Sequence, residues 1–256
     1  MPTTLDSGDG TNFYTRSTQQ TRLVPRLSSV CGVILARMDS RRFPGKALAP
    51  WLGVPLVQYV IRRARLITGI DAVCLATTDR SVDDPLAEIA RREGIPVFRG
   101  HPSDVTKRVI DCAKTLRADW VVRLNGDSPF LDPSLISYGI SLIDSNIEFI
   151  TNIPERTFPY GVSVEIISVP RLMASHPAMT LAQREHVTLY FYQTDERIPT
   201  VQLRLVPPVS KDVRLTIDTP EDLQRLEEMV TTYASCNWRT FVDGERTVQI
   251  RRLHVA

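Results

Sequence analysis

The chain has 256 residues, of which 43% are hydrophobic and 23% are charged, and its formal net charge is +2. This composition is typical of a soluble globular protein with one large domain or two small ones, and the small net charge argues against a nucleic-acid partner. No apolar run reaches membrane-spanning length and the N-terminus lacks a signal-peptide pattern, so we expect a cytoplasmic protein without membrane contact.

The chain divides into a polar beginning and a patterned remainder. Residues 1–28 show little periodicity, which predicts a flexible N-terminal extension, and residues 29–256 are interpreted as a single domain. Strands are predicted at 30–36, 71–76, 95–98 and 120–124, and helices at 55–67, 84–94, 104–116 and from Asp132-Pro133 onward, with Ser103 as the cap of the third helix. This alternation predicts an α/β fold with a mostly parallel sheet wound by helices.

The regular alternation of predicted strands and helices changes after Glu148. We expect a strand or hairpin at Tyr160–Ser168, an amphipathic helix at Thr180–Thr194 and a strand at Val201–Val206, which together form a smaller hairpin and helix insertion. A strand-like run, Arg214–Ile217, directly precedes Asp218. Thr219 and Asp222 fit a capping box with Pro220 at the first helical position, which predicts a helix to about Tyr233. Residues 236–256 have no clear pattern.

A basic loop follows the first strand. Arg37, Arg41, Arg42 and Lys46 lie within ten positions, and Asp39 is the one acid among them. The loop leaves the carboxyl end of a buried strand, where open α/β sheets bind ligands. The charge indicates a polyanionic small molecule, most simply a nucleoside triphosphate. A solvated basic loop is the alternative. The P-loop and dinucleotide-binding glycine motifs are absent, which disfavours those two classes.

Two acids at strand exits are candidates for holding the divalent cation that a triphosphate requires. Asp127 follows the strand that ends near Leu124, and Asp218 follows Ile217. Mg²⁺ takes one or two protein carboxylates together with phosphate oxygens and water. Gly126 would let the backbone approach a ligand closely. Turn or helix-start roles are the alternatives for both acids, and for Asp132 the expected role is a helix cap.

Arg184 and His186 lie on the predicted helix at 180–194. Arg184 could clamp an acceptor carboxylate or phosphate in bidentate fashion, and His186 could remove a proton or donate a hydrogen bond. The alternatives are a surface salt bridge for Arg184 and a capping or packing role for His186.

The motifs together resemble the cytidylyltransferase family that makes CMP-activated sugar acids, which includes the CMP-Kdo and CMP-acylneuraminate synthetases. The run from Ala36 to Lys46 resembles the signature A-R-x-x-S-x-R-L-P-G-K. The further motifs occur in family order over about residues 29–230: Thr77-Thr78-Asp79, Arg99-Gly100 with Asp104 and Arg108, Asn125–Pro129, Tyr160-Gly161 with Ser163 and Glu165, Arg184–Thr188, and Ile217–Leu223. Those at Arg99-Gly100, Tyr160-Gly161 and Arg184–Thr188 resemble the spore-coat polysaccharide biosynthesis branch.

The resemblance implies a Rossmann-like nucleotidyltransferase fold, a homodimer, and transfer of CMP from CTP to an anionic acceptor, a keto-sugar acid, with release of pyrophosphate. The Tyr160–Leu205 region departs from strict βαβ alternation and is expected to supply the dimer contact. It assigns catalysis to Arg37, Lys46 and Asp127, and Mg²⁺ to Asp127 and Asp218. The implied nucleotide-binding residues are Ala36, Arg37, Ser40, Arg42, Lys46, Thr78, Arg108 and Asn125. The implied acceptor-binding residues are Arg123, Glu165, Arg184 and His186.

Several positions depart from the family pattern. Ser163 stands where the branch has an acid, and Asn125 stands where sugar-acid synthetases have Gln, which leaves the acceptor and the base open. Asp39 places a carboxylate in the phosphate loop. The alternatives are therefore a uridylyl- or guanylyltransferase, an enzyme with a phosphate or phosphonate acceptor, and a non-catalytic nucleotide-binding homologue.

Overall fold

The computed structural model describes residues 28–255, so the predicted N-terminal extension lies outside the described residues except for Ser28. The strands in this range are β1 Val30–Leu35, β2 Pro50–Trp51, β3 Val54–Pro55, β4 Ala72–Thr78, β5 Val97–Gly100, β6 Trp120–Asn125, β7 Phe149–Thr151, β8 Glu165–Ser168, β9 Thr200–Val206 and β10 Thr247–Leu253. The α-helices are α1 Leu56–Ala64, α2 Asp84–Arg92, α3 Val105–Thr115, α4 Pro133–Ile140, α5 Val169–Ser175, α6 Leu181–Glu185, α7 Leu189–Gln193 and α8 Pro220–Tyr233.

One eight-stranded sheet organises the described chain, in the order β10-β9-β7-β8-β6-β1-β4-β5. β1 pairs in parallel with both β4 and β6, and β4 pairs in parallel with β5. β8 is antiparallel to its neighbours β6 and β7, and β10 is antiparallel to β9. The predicted α/β class with a mostly parallel wound sheet is therefore confirmed, and its antiparallel pairs come from the part of the chain after β6.

Helices cover both faces of the sheet because the central strand is apolar on both sides. Along β1, Ile34 joins a core cluster with Val60 of α1, and the adjacent Val33 joins a second cluster with Val109 of α3. Successive strand residues point to opposite faces, so a strand buried on both sides is apolar throughout. Within residues 28–255, no helix combines the length and apolar character needed to cross a bilayer.

The predicted helix at Thr180–Thr194 is wrong. The segment forms two five-residue helices, α6 and α7, with a break at which Val187 has φ 26°. A β-branched residue at positive φ cannot continue an α-helix. The break places Val187, which is fully buried, in the core cluster that contains Val109 and Leu172.

Three smaller expectations also change. The α3 cap is Asp104, whose carboxylate accepts from the Lys107 amide at 2.8 Å, in place of Ser103. The segment from Arg214 to Ile217 is no strand, and its pairing is an isolated bridge between Arg214 and Tyr160. The unpatterned C-terminal residues contribute a 3₁₀ turn at Trp238–Phe241 and strand β10.

Candidate functional site

The candidate site lies where the loops leave the carboxyl ends of β1, β4 and β6. These strands are parallel neighbours, so their exits meet at one edge of the sheet. Gly126 allows the β6 exit to press against the β1 exit, because a Cβ there would lie 2.9 Å from the Ala36 Cβ and 3.0 Å from the Leu35 carbonyl oxygen. The close approach that this glycine permits is therefore to backbone of the neighbouring loop.

Lys46 lies between the two predicted metal ligands. Its ammonium nitrogen is 2.6 Å from an Asp127 carboxylate oxygen, 3.5 Å from an Asp218 carboxylate oxygen and 3.1 Å from the Ile217 carbonyl oxygen. Gly45 turns the chain toward this position with φ 76°, and its amide donates to the Met38 carbonyl at 2.8 Å. This hydrogen bond joins the two ends of residues 38–45 and so closes them into a compact loop.

The Asp218 carboxylate does not cap the helix that follows it, because Thr219 is the cap of α8. Thr219 and Asp222 form the predicted capping box at the start of α8, and the Asp222 carboxylate accepts from the Asp218 amide at 3.1 Å. The Asp218 carboxylate instead pairs with Arg42 at 2.7 Å and with Lys46. The helix cap expected for Asp132 is confirmed, since its carboxylate accepts from the Leu135 amide at 3.1 Å.

The segment that carries Asp218 is held by backbone contacts. The Ile217 amide donates to the Asp127 carbonyl at 3.2 Å, and the Leu215 amide donates to the Tyr160 carbonyl at 2.6 Å. Gly161 makes room for this crossing, because a Cβ there would lie 2.8 Å from the Leu215 carbonyl carbon. Two distant parts of the chain are thus brought together beside Lys46.

The other cations of the basic loop have different surroundings. Arg37 contacts Asp39 at 3.3 Å and Glu185 of α6 at 3.1 Å. Arg41 is exposed, and no ion pair to it occurs among residues 28–255. A hydrogen bond from Arg80 holds the pKa of the Asp39 carboxyl below its ordinary value. The basic loop is therefore largely neutralised by acids.

Thr78 and Arg108 lie beneath this loop. Thr78 is fully buried and its hydroxyl donates to Asp83. Asp83 is not among the residues that the sequence motifs predict for the site. Arg108 is 2% exposed and donates to the His101 carbonyl at 3.0 Å, while its Nε has no partner. Burial, and then the charge of Arg37, lower the pKa of Arg108 to about 10. A buried guanidinium with few partners favours a bound anion.

The predicted acceptor residues fall into two groups. Arg123 pairs with Glu165, which also accepts from the Tyr192 hydroxyl at 2.8 Å. Arg184 lies 3.9 Å from Asp104. His186 is exposed, and its ring has no hydrogen-bond partner within the described chain. The buried polar group Arg123–Glu165–Tyr192 is thus internally bonded, while the Arg184–His186 segment is more open.

The remaining predicted nucleotide residues, Ala36, Ser40 and Asn125, line the loop exits at intermediate exposure. Asn125 pairs with Leu35 across the sheet, and its carbonyl accepts from the Ser128 amide at 3.2 Å.

The chemistry of the donor set fits Mg²⁺. Two carboxylates contact one cation, the Lys46 ammonium, which occupies the position that a metal ion bound by both would take. The site offers two carboxylates, and no group of three or more His, Cys, Asp or Glu side chains that could hold a metal occurs within residues 28–255. Mg²⁺ commonly takes only one or two carboxylates and completes its shell with phosphate oxygens and water.

Comparison with known proteins gives one consistent family. The family model for cytidylyltransferases matches residues 31–247. The spore coat polysaccharide biosynthesis protein SpsF of Bacillus subtilis is 29% identical over 214 residues, covering 79% of this chain and 87% of that protein. The 3-deoxy-manno-octulosonate cytidylyltransferase of Anaeromyxobacter sp. (strain Fw109-5) is 37% identical over 125 residues, covering 48% of this chain and 50% of that enzyme.

Among solved structures, a cytidylyltransferase from Leptospira borgpetersenii superposes with a TM-score of 0.77 at 31% identity, covering 82% of this chain and 89% of that one. The family match at residues 31–247 includes Lys46, Asp127 and Asp218.

Proposed function

Because this chain belongs to the cytidylyltransferase family, we propose that it transfers CMP from CTP to a keto-sugar acid and releases pyrophosphate. The observation that carries the proposal is the convergence of Asp127 and Asp218 on Lys46 at the carboxyl edge of the sheet. A triphosphate with a bound metal ion requires basic side chains for its phosphates and carboxylates for the metal, and the basic loop facing two carboxylates offers both.

The reaction is an in-line displacement at the α-phosphorus. An acceptor hydroxyl oxygen forms the new P–O bond, the bond from the α-phosphorus to the bridging oxygen breaks, and the hydroxyl proton leaves to solvent or a base. Negative charge passes to the departing pyrophosphate. Positioning and charge stabilisation supply most of the catalysis in such transfers.

The chain's own residues divide this work. Lys46 and Arg37 stabilise the charge that develops on the pyrophosphate, and Arg42 binds the triphosphate near Asp218. Asp127 and Asp218 would hold Mg²⁺, which neutralises phosphate charge and orients the triphosphate when bound. The substrate must therefore draw Lys46 and Arg42 away from the carboxylates that they contact in the free protein.

The acceptor side of the proposal rests on Arg184 and His186. Both belong to the open segment that follows Thr180, and Glu185 between them contacts Arg37 of the phosphate loop. An anionic acceptor bound by Arg184 would thus lie next to the triphosphate. The relatives act in sugar chemistry by name, one in spore coat polysaccharide biosynthesis and one on 3-deoxy-manno-octulosonate.

A pyrophosphate-release screen tests the proposal. The purified protein with Mg²⁺ is given CTP, UTP, GTP or ATP against a panel of keto-sugar acids, sugar phosphates and phosphonates. We expect release with CTP and a keto-sugar acid, and CTP should give the largest thermal stabilisation of the four nucleotides. Lys46→Ala serves as the inactive control. A clear preference for GTP or ATP would overturn the base assignment, and turnover only with phosphates would overturn the acceptor.

We also propose a homodimer with contacts in the Tyr160–Leu205 region. Light scattering at micromolar concentration should give twice the chain mass, and a monomer mass would refute this.

A further inference from the structure

Asp83 is a fully buried carboxylate that the proposed chemistry does not use. It accepts a hydrogen bond from the Met38 amide at 2.7 Å and one from the Thr78 hydroxyl. Met38 belongs to the phosphate loop between Arg37 and Lys46, and Thr78 ends strand β4. One carboxylate therefore joins the β1 exit to the β4 exit.

The position of Asp83 would ordinarily make it a helix cap. It is the residue that precedes α2, and Asp is among the preferred residues there. Its carboxylate nevertheless makes no capping hydrogen bond to α2. The side chain instead accepts from the amide of Met38 in the loop, so the start of α2 is left without a side-chain cap. This orientation indicates that the Asp83 carboxylate holds the loop rather than the helix.

The charged groups around Asp83 also connect it to the loop. Arg80 lies 3.8 Å from its carboxylate and also contacts Asp39 of the loop at 2.8 Å. Asp83 also offsets part of the effect of burial on Arg108. The carboxylate is thus the buried counter-charge for cations that approach the loop from α3 and from the β4 exit.

We propose that Asp83 is a positioning residue of the phosphate loop, which fixes the Met38 backbone so that Arg37 and Lys46 face the triphosphate. The inference rests on the proposed function, because the triphosphate is the ligand that the loop receives. Its local part, the anchoring of Met38, stands on the hydrogen bonds alone.

The test compares Asp83→Asn with Asp84→Asn. The control acid is adjacent, begins α2 and pairs with Arg99 at an exposed position. Amide exchange at Met38 is measured by NMR, and the KM for the triphosphate and the acceptor and kcat are measured separately. In Asp83→Asn we expect Met38 exchange and the triphosphate KM each to rise about tenfold or more, with the acceptor KM unchanged. In Asp84→Asn each should stay within about twofold.

Thr78→Val provides a second variant if Asp83→Asn does not fold, because it removes only the hydroxyl that donates to Asp83. It should also raise Met38 exchange. Unchanged Met38 exchange in a folded variant, or an equal KM change in Asp84→Asn, overturns the proposal. If the wild-type protein bound no triphosphate while Met38 exchange still rose in Asp83→Asn, the proposed function would fail and the anchoring would stand.

Discussion

The Lys46 ammonium lies 2.6 Å from a carboxylate oxygen of Asp127, with both side chains largely shielded from solvent. Without a bound cation, two neighbouring carboxylates, Asp127 and Asp218, would repel each other. Lys46 relieves that repulsion by contacting both. Under the proposed function, a bound metal ion would replace Lys46 between the two carboxylates, and the lysine would then contact a phosphate.

Asp127→Asn and Asp218→Asn should each lower turnover by about 100- to 1000-fold, because under the proposed function each removes a charge that would hold Mg²⁺ while keeping the side-chain volume. Pyrophosphate release measured across a Mg²⁺ titration checks this, and circular dichroism should show an unchanged fold. Activity near that of wild type at saturating Mg²⁺ would show that the altered residue is only a turn former.

Lys46→Ala should lower turnover by about 100- to 1000-fold, and Arg37→Ala should act similarly, because under the proposed function both would stabilise charge that develops on pyrophosphate. Arg41→Ala is the control within the same loop, since Arg41 is exposed and without an ion pair in the described chain. Its kcat/KM should change by less than about tenfold, or about 1.4 kcal/mol. An Arg41 effect as large as that of Lys46 would show that the loop acts as an undifferentiated positive patch.

The sequence is sufficient to predict the central strands because they are apolar on both faces and alternate with capped helices. It also selects Lys46, Asp127 and Asp218 as candidates, and the structure places their side chains together, although the segment before Asp218 is not a strand. It does not show how the basic loop is neutralised. The acids that contact Lys46 and Arg37 lie 81, 172 and 148 positions away in the chain, and local charge counting finds only Asp39.

Two further failures have specific causes. The periodicity from Thr180 to Thr194 suits an amphipathic helix, but the burial of Val187 breaks it. Asp83 precedes a second acid and a proline, a sequence typical of a helix start, and that pattern hides the carboxylate's actual contacts with Met38 and Thr78. In both cases tertiary contacts override the local signal.

Glu93→Gln should lower the free energy of unfolding by about 1–3 kcal/mol at neutral pH, because the carboxylate accepts charge-assisted hydrogen bonds from Arg62 and one from Gln58. Burial alone would raise the pKa of Glu93, but those hydrogen bonds hold it below its ordinary value of 4.5. A lowered pKa stabilises the fold above pH 4.5, and the contribution is lost as the pH falls below that value.

Urea unfolding at several pH values checks this prediction, and the difference between wild type and Glu93→Gln should shrink below pH 4.5. Glu88→Gln is the control, on the helix α2 that Glu93 follows, since both partners of its ion pair with Arg92 are at least half exposed and the pair should contribute less than about 1 kcal/mol. A pH-independent difference between wild type and Glu93→Gln would contradict the ionic origin of the effect.

Gly161→Ala should cost more stability than Gly244→Ala, although both glycines have positive φ, 109° and 78°. At Gly244 a Cβ meets nothing within 4 Å, so the cost is backbone strain of about 1–2 kcal/mol. At Gly161 it meets the Leu215 carbonyl carbon at 2.8 Å, and the overlap should add about 1–3 kcal/mol. The displaced segment carries Asp218, so Gly161→Ala should also lower turnover, while Gly244→Ala should not. Urea unfolding and pyrophosphate release measure the two effects, and equal costs at the two glycines would mean that the crossing beside Tyr160 is not a tight contact.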